Sequence, residues 1–223
     1  MGVVLVLFVM WNLWWTNVES DAKQSVILKD FARDFDGPLT PAPSTAVDFG
    51  PPAVSPAPGH GETIGIIYVP RFGETYWRPL VQGATPDVLD TLGLGHYEGT
   101  SMPGAPGNFA VAGHRQTHGA VLDSVHTLTP GDRIYVQTRD GYYTYVFRNN
   151  QIVMPTETDV LMPVPGFPGV VPTESFLTMT SCNPRFGAQE RIIAYSLLDQ
   201  WQPASAGPPA EIAAQVAAVN GMG

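Results

Sequence analysis

From Glu62 onward the chain is a succession of short runs rich in Val, Ile, Tyr, Phe and Thr, each closed by Gly, Pro, Asn or Asp. This rhythm restricts the fold more than any other feature of the sequence. The runs cover residues 63–69, 77–81, 108–112, 133–138, 142–147, 151–154, 176–182 and 191–198. β-Branched and aromatic residues suit a pleated, half-buried surface, and the punctuating residues supply the turns. Only two helical patterns interrupt them, at 85–92, opening on Pro86, and at 120–128. A parallel sheet would need a helix-length crossover between most strands, so the pattern predicts a mainly β fold, a closed barrel of eight strands with short helices.

The rest of the chain divides around that barrel. With 223 residues and 44% hydrophobic content it can bury one good core, and the 22 prolines and 23 glycines belong to turns and linkers. A net charge of −9 argues against nucleic acid as a partner, since such a surface would be basic. Residues 2–15 are apolar apart from Asn12 and end in Trp14-Trp15, the kind of aromatic pair found at membrane interfaces. They lack the basic start and small-residue cleavage site of a signal peptide. The stretch is shorter than the roughly 20 apolar residues of a spanning helix, so the anchor reading expects basic residues upstream of Met1. The expected organisation is a transmembrane anchor at 1–18, a helical stalk and Pro/Ala-rich linker at 19–60, a catalytic barrel at 61–201, and a flexible tail at 202–223.

Chemistry concentrates where two strands meet. Cys182 is the sole cysteine, so no intramolecular disulfide is possible and its thiol is free. It ends one run, Asn183-Pro184 and Gly187 turn the chain, and Arg191 begins the next, so a hairpin brings thiol and guanidinium to one place. His114 follows the end of another run, just after Gly113. A cysteine nucleophile needs a base and a group that stabilises an oxyanion, and histidine and arginine fill those places.

These blocks resemble the sortases, membrane-anchored cysteine transpeptidases of Gram-positive bacteria. The resemblance rests on Ala112-Gly113-His114-Arg115, on Thr178-Met179-Thr180-Ser181-Cys182-Asn183-Pro184-Arg185, and on Arg191. It extends to Ile67-Tyr68-Val69-Pro70-Arg71, to Gly95-His96-Tyr97 through Gly104, and to Leu128-Thr129-Pro130-Gly131-Asp132, in family order. The chain looks most like the actinobacterial class E branch. Ser181 stands where the family usually has threonine, which keeps a hydroxyl and should keep activity.

The resemblance implies a sortase-type barrel in which Cys182 attacks the Thr-Gly amide of a C-terminal sorting signal to form a thioacyl enzyme. His114 would protonate the leaving amine and later deprotonate the incoming one, while Arg191 would bind the oxyanion. It implies secreted proteins bearing the signal and a lipid-linked peptidoglycan precursor as partners, no cofactor and no metal, and a single-pass protein of the cell membrane with its catalytic domain outside. Class E members are associated with Leu-Ala-X-Thr-Gly rather than Leu-Pro-X-Thr-Gly signals. Tyr97 is the position to which the reading of that alanine carries over, its hydroxyl meeting the backbone amide that proline lacks. Thr180, Ser181 and Asn183 are further candidates for substrate contact.

Other readings use the same residues differently. Cys182 could be an inert core cysteine. His114 and His118 lie four apart and could share a zinc, but the strand before His114 argues against a helix there, and one cysteine cannot complete the site. His60, His96, His118 and His126 read as surface or structural residues, and Arg185, within the turn, is a weaker oxyanion donor than Arg191. An L,D-transpeptidase would carry a His-Gly pair just before its cysteine, where this chain has Thr178 to Ser181. A non-catalytic wall-associated β-domain would need no thiol. The proline-rich segment 155–173, just before the nucleophile strand, is long enough to be functional rather than incidental.

Overall fold

The computed structural model of the chain describes residues 2–41 and 47–222. Helix α1 (Gly2–Arg33) leads into a barrel built from β1 (Thr63–Tyr68), β2 (Trp77–Gln82), β3 (Leu94–His96), β4 (Gly107–Ala112), β5 (Arg133–Gln137), β6 (Gly141–Val153), β7 (Ser175–Asn183) and β8 (Glu190–Pro203). A four-residue α2 (Pro86–Leu89) lies between β2 and β3, and α3 (Ala213–Asn220) follows β8. The strands close in the order β1-β2-β3-β4-β7-β8-β6-β5, and closure leaves no sheet edge free to pair with another chain. β2 runs parallel to β3 and β4 parallel to β7, whereas the other pairs are antiparallel.

The expected barrel is present, with its strands divided differently. The runs at 142–147 and 151–154 are one strand, β6, which pairs with β8 almost throughout; shifts in register beside Tyr145 and Asn149 absorb the polar break at Arg148-Asn149-Asn150. The eighth strand is instead Leu94–His96, three residues among glycines that show no alternation to read, paired with β2 on one side and β4 on the other. The helical pattern at 120–128 is a 3-10 turn, Asp123–Thr127.

Alternation along β7 orients the site. Leu177 and Met179 point into the barrel core with Ile67, Leu80, Phe109, Val111, Val136, Tyr145 and Ala194. Thr178, Thr180 and Cys182 therefore lie on the outer face. A second apolar cluster binds α1 and α3 to the outside of the barrel: Leu28, Phe31 and Phe35 pack with Ile66, Tyr68, Tyr135, Tyr142, Ile212, Val216 and Val219. The stalk is thus a docked helix over its second half, because its apolar side chains recur every three or four positions and meet an apolar wall. The tail, expected to be flexible, carries α3 with Val216 and Val219 buried against α1. The linker also follows the barrel: the Ala53 carbonyl accepts from the Tyr143 hydroxyl at 2.7 Å and the Gly50 carbonyl from Trp201 Nε1 at 2.8 Å.

Toward its N-terminus α1 exposes Val4, Leu7, Phe8, Trp11 and Trp15, with the two tryptophan rings stacked at 5.9 Å. Among the described residues, no helix is long and apolar enough to cross a membrane.

Candidate active site

Three neighbouring strands deliver the three expected residues to one end of the barrel. β4 and β7 run parallel with Ala112 beside Thr180, and the Gly113 amide continues the ladder to the Thr180 carbonyl at 3.1 Å. Two positions beyond that pair, His114 follows β4 and Cys182 nears the end of β7. On the other side of β7, Cys182 and Arg191 are direct partners in the antiparallel pair with β8. Gly113 permits the approach: a Cβ there would stand 2.7 Å from side-chain carbons of Leu94 and Val121. Cys182 is a free thiol, partly exposed.

Each member has its own anchor. His114 Nε2 lies 2.6 Å from Asp90 Oδ1, just beyond the end of α2. A carboxylate in that place orients the ring and stabilises an imidazolium, leaving Nδ1 for proton transfer. His118 packs against His114 with ring centroids 4.9 Å apart and planes tilted by 36°, and brings Nδ1 to 3.8 Å from the same Asp90 oxygen. Arg191 Nη1 donates to the carbonyls of Ala188 and Glu190 at 3.0 and 2.9 Å, which folds its guanidinium onto the β7–β8 turn. Among the described residues no hydrogen bond or ion pair joins the side chains of Cys182, His114 and Arg191.

The candidate substrate residues separate into two groups. Thr180 shares the outer face with Cys182, and its Oγ1 lies 2.9 Å from the Tyr97 hydroxyl, which holds Tyr97 beside the strand that carries the thiol. The segment between β6 and β7 is tied to β8 and β4: Val160 packs on Ile193, and Asn108 Nδ2 donates to the Val160 and Met162 carbonyls at 3.0 and 3.1 Å. Ser181 points to the other face of β7 and donates to the Gly113 carbonyl at 2.8 Å, holding the two strand ends together. Asn183 is occupied on both sides, donating to Glu190 Oε2 at 2.7 Å and accepting from Arg115 Nη1 at 2.6 Å.

Arg115 and Asp90 had no role in the sequence reading. Arg115 is buried, and the same Nη1 also donates to the Cys182 carbonyl at 3.1 Å. Its place beside His114 in the motif was the only available signal. For Asp90 there was none, since its partner lies on another element. Arg185 forms a two-pronged pair with Asp123 at 2.8 and 2.6 Å, which occupies its guanidinium. His96 is fully buried between Gln82 and the Thr100-Ser101 segment, a structural histidine. Arg71 clamps Asp132 through Nε and Nη2 at 2.8 and 2.7 Å, which gives those two motif blocks a structural rather than chemical purpose.

Helix α1 also reaches this corner. Asn17 Oδ1 accepts from the Gly119 amide at 2.8 Å, and Ser20 Oγ donates to the Asp90 carbonyl at 2.7 Å. A roomy cavity of about 540 Å³ between α1, the linker and the barrel is lined by Asp30, Asp34, Arg139, Asp140 and Tyr143, and holds none of the three candidate catalytic residues.

Known proteins share this fold. Residues 67–199 match the sortase domain family model. Sortase SrtE1 of Streptomyces coelicolor is 33% identical over 216 residues, covering 93% of this chain, which spans 57% of that protein's length. The SrtA sortase from Actinomyces oris superposes with a TM-score of 0.70 at 36% identity, over 73% of this chain and 94% of that one. Sortase E from Streptomyces avermitilis superposes with a TM-score of 0.63 at 35% identity, over 69% of this chain and 99% of that one. A matched domain that spans most of the barrel, and a strand order that sets cysteine, histidine and arginine on adjacent strand ends, identify the chain as a member of the sortase family.

Proposed function

We propose that this chain is a class E-type transpeptidase that cuts a sorting signal between Thr and Gly and passes the new carboxyl end to an amine. One observation carries the reading: Cys182, His114 and Arg191 sit at the adjoining ends of β7, β4 and β8. The Cys182 thiolate attacks the threonine carbonyl, and Arg191 with nearby amides binds the oxyanion. The C–N bond breaks as His114, steadied by Asp90, gives its proton to the leaving amine. The incoming amine then attacks the thioester, returns a proton to His114, and releases the thiolate.

The Tyr97–Thr180 hydroxyl pair supports a polar reader of the signal's second residue, where alanine keeps an N–H that proline lacks. Substrates are then secreted proteins bearing Leu-Ala-X-Thr-Gly signals, and the acceptor is the amine of a lipid-linked peptidoglycan precursor. The exposed Val4, Leu7, Phe8, Trp11 and Trp15 support a location at the outer face of the cell membrane.

The test is incubation of the full chain with fluorogenic Leu-Ala-X-Thr-Gly and Leu-Pro-X-Thr-Gly peptides and an amine, read by mass spectrometry. The expected product is the threonine–amine adduct, formed faster from the alanine peptide and absent with Cys182→Ala. No adduct from either peptide, or an adduct that survives Cys182→Ala, overturns the assignment.

A further inference from the structure

The corner that holds His114 contains one group more than an acid–base pair needs. Asp90, His114 and His118 bring a carboxylate oxygen and two imidazole nitrogens within 4.8 Å of one another. They come from three places: Asp90 from the end of α2, His114 from the end of β4, and His118 from the loop that follows. That loop bends back at His118, whose φ of 53° is in the left-handed region, and this lays its ring over His114. The strand before His114 does exclude a helical His-x-x-x-His site. The loop achieves the same convergence by another route, and Asp90 supplies the ligand that one cysteine could not.

We propose that Asp90, His114 and His118 form a binding site for a divalent transition-metal ion, zinc above all, and that the bound ion removes His114 from proton transfer. Two imidazoles and a carboxylate are a donor set for borderline ions such as zinc, and three protein ligands with an open fourth position suffice to hold it. Tetrahedral zinc with bonds of about 2.0–2.1 Å keeps its ligand atoms about 3.3–3.4 Å apart. The two separations from Asp90, 2.6 Å to His114 and 3.8 Å to His118, bracket that spacing, and all three atoms lie within 4.8 Å of one another, so side-chain rotations admit the ion. All three side chains are partly exposed, at 38, 27 and 29% for Asp90, His114 and His118, which gives the ion a path from solvent.

Zinc takes the lone pair of His114 Nε2 and competes with the proton that makes an imidazolium. The inhibitory half of the proposal rests on His114 as the acid–base residue; the binding half does not. The second imidazole then has a purpose that transpeptidation alone does not give it, since His118 has no place in the acid–base steps.

Calorimetric titration of the full chain with ZnCl2, and the visible spectrum on adding CoCl2, test the site without reference to turnover. One ion per chain is expected. His118→Ala should weaken binding at least as much as the ~10–100-fold seen when a second-shell partner is lost elsewhere. Cys182→Ala should bind as the parent does. In the peptide assay zinc should inhibit the parent over the range that fills the site, EDTA should restore it, and His118→Ala, measured against its own zinc-free rate, should resist zinc. Absence of saturable binding to the parent, or equal affinity in His118→Ala, overturns the site. Saturable, His118-dependent binding that leaves turnover untouched supports the site and instead overturns His114 as the proton carrier.

Discussion

Arg115 donates from one nitrogen, Nη1, to the Cys182 carbonyl at 3.1 Å and to Asn183 Oδ1 at 2.6 Å. It therefore fixes the backbone of Cys182, the proposed nucleophile, through the carbonyl. Asn183 passes the restraint to Glu190, next to Arg191, so one buried guanidinium steadies both strand ends. Arg115→Ala should reduce kcat/KM by about 100-fold, the scale of a displacement of roughly 1 Å at a reacting centre. Arg115→Lys should recover part of that loss. Steady-state kinetics of the two variants check this, and a loss confined to KM would contradict a positioning role.

Arg191 is held on the β7–β8 turn by the Ala188 and Glu190 carbonyls. Arg191→Ala removes a charge-assisted donor and should cost about 100- to 1000-fold in kcat, the range for loss of one oxyanion donor, while circular dichroism is unchanged. Turnover close to the parent's would remove Arg191 from the mechanism.

Asp90→Asn keeps the side chain's shape and takes away the charge that steadies His114. We expect kcat to fall by about tenfold or more with little change in KM, because the interaction strengthens only as the imidazole gains its proton. A kcat equal to the parent's in this variant would show the pair to be merely structural.

Two other histidines give opposite dependences of stability on pH. Burial pulls the His96 pKa down, outweighing the Ser101 carbonyl and the charge of Glu98. The unfolded chain then takes a proton that the folded chain refuses, so stability falls as pH drops below about 6.5. His60 is raised, first by its hydrogen bond to Asp87 and next by that to Glu98. Its contribution is present below about pH 6.5 and disappears as pH rises through the folded value. Urea midpoints measured between about pH 7.5 and 5 should show a shallower acid-side decline for His96→Asn and a steeper one for His60→Ala. Parallel curves for all three proteins would refute the assignment.

Phe31 belongs to the seam between α1 and the barrel and is 5% exposed. Phe31→Ala should lower unfolding free energy by about 3–5 kcal/mol, the usual range for emptying a buried phenylalanine site. A denaturant midpoint equal to the parent's would show that α1 is not docked in solution.

The barrel was legible because β-branched and aromatic runs alternate with turn residues, and Cys182, His114 and Arg191 were legible because each sits at the end of such a run. β3 was not, since a three-residue strand flanked by Gly93 and containing Gly95 has no period to detect. The union of two runs into β6 was hidden by Arg148-Asn149-Asn150, whose side chains are polar because that part of the strand is largely exposed. Asp90 could not be joined to His114 from the sequence, and the four-residue spacing of His114 and His118 was set aside because a strand precedes it; their meeting depends on how α2 and the loop after β4 fold over each other. The docking of α1 and α3 was equally invisible: each has an apolar face, but only the tertiary structure shows that Tyr68, Tyr135 and Tyr142 present a matching wall on the outside of the barrel.

At 1.5 Å per residue the 32 residues of α1 extend about 48 Å, and their far half is fastened to the barrel by Leu28, Phe31 and Ala32. A protein moored through such a rod does not sweep its cleft through a volume as a tethered one does. Were its first turns held at a surface, the rod would set a single height for the thiol above it.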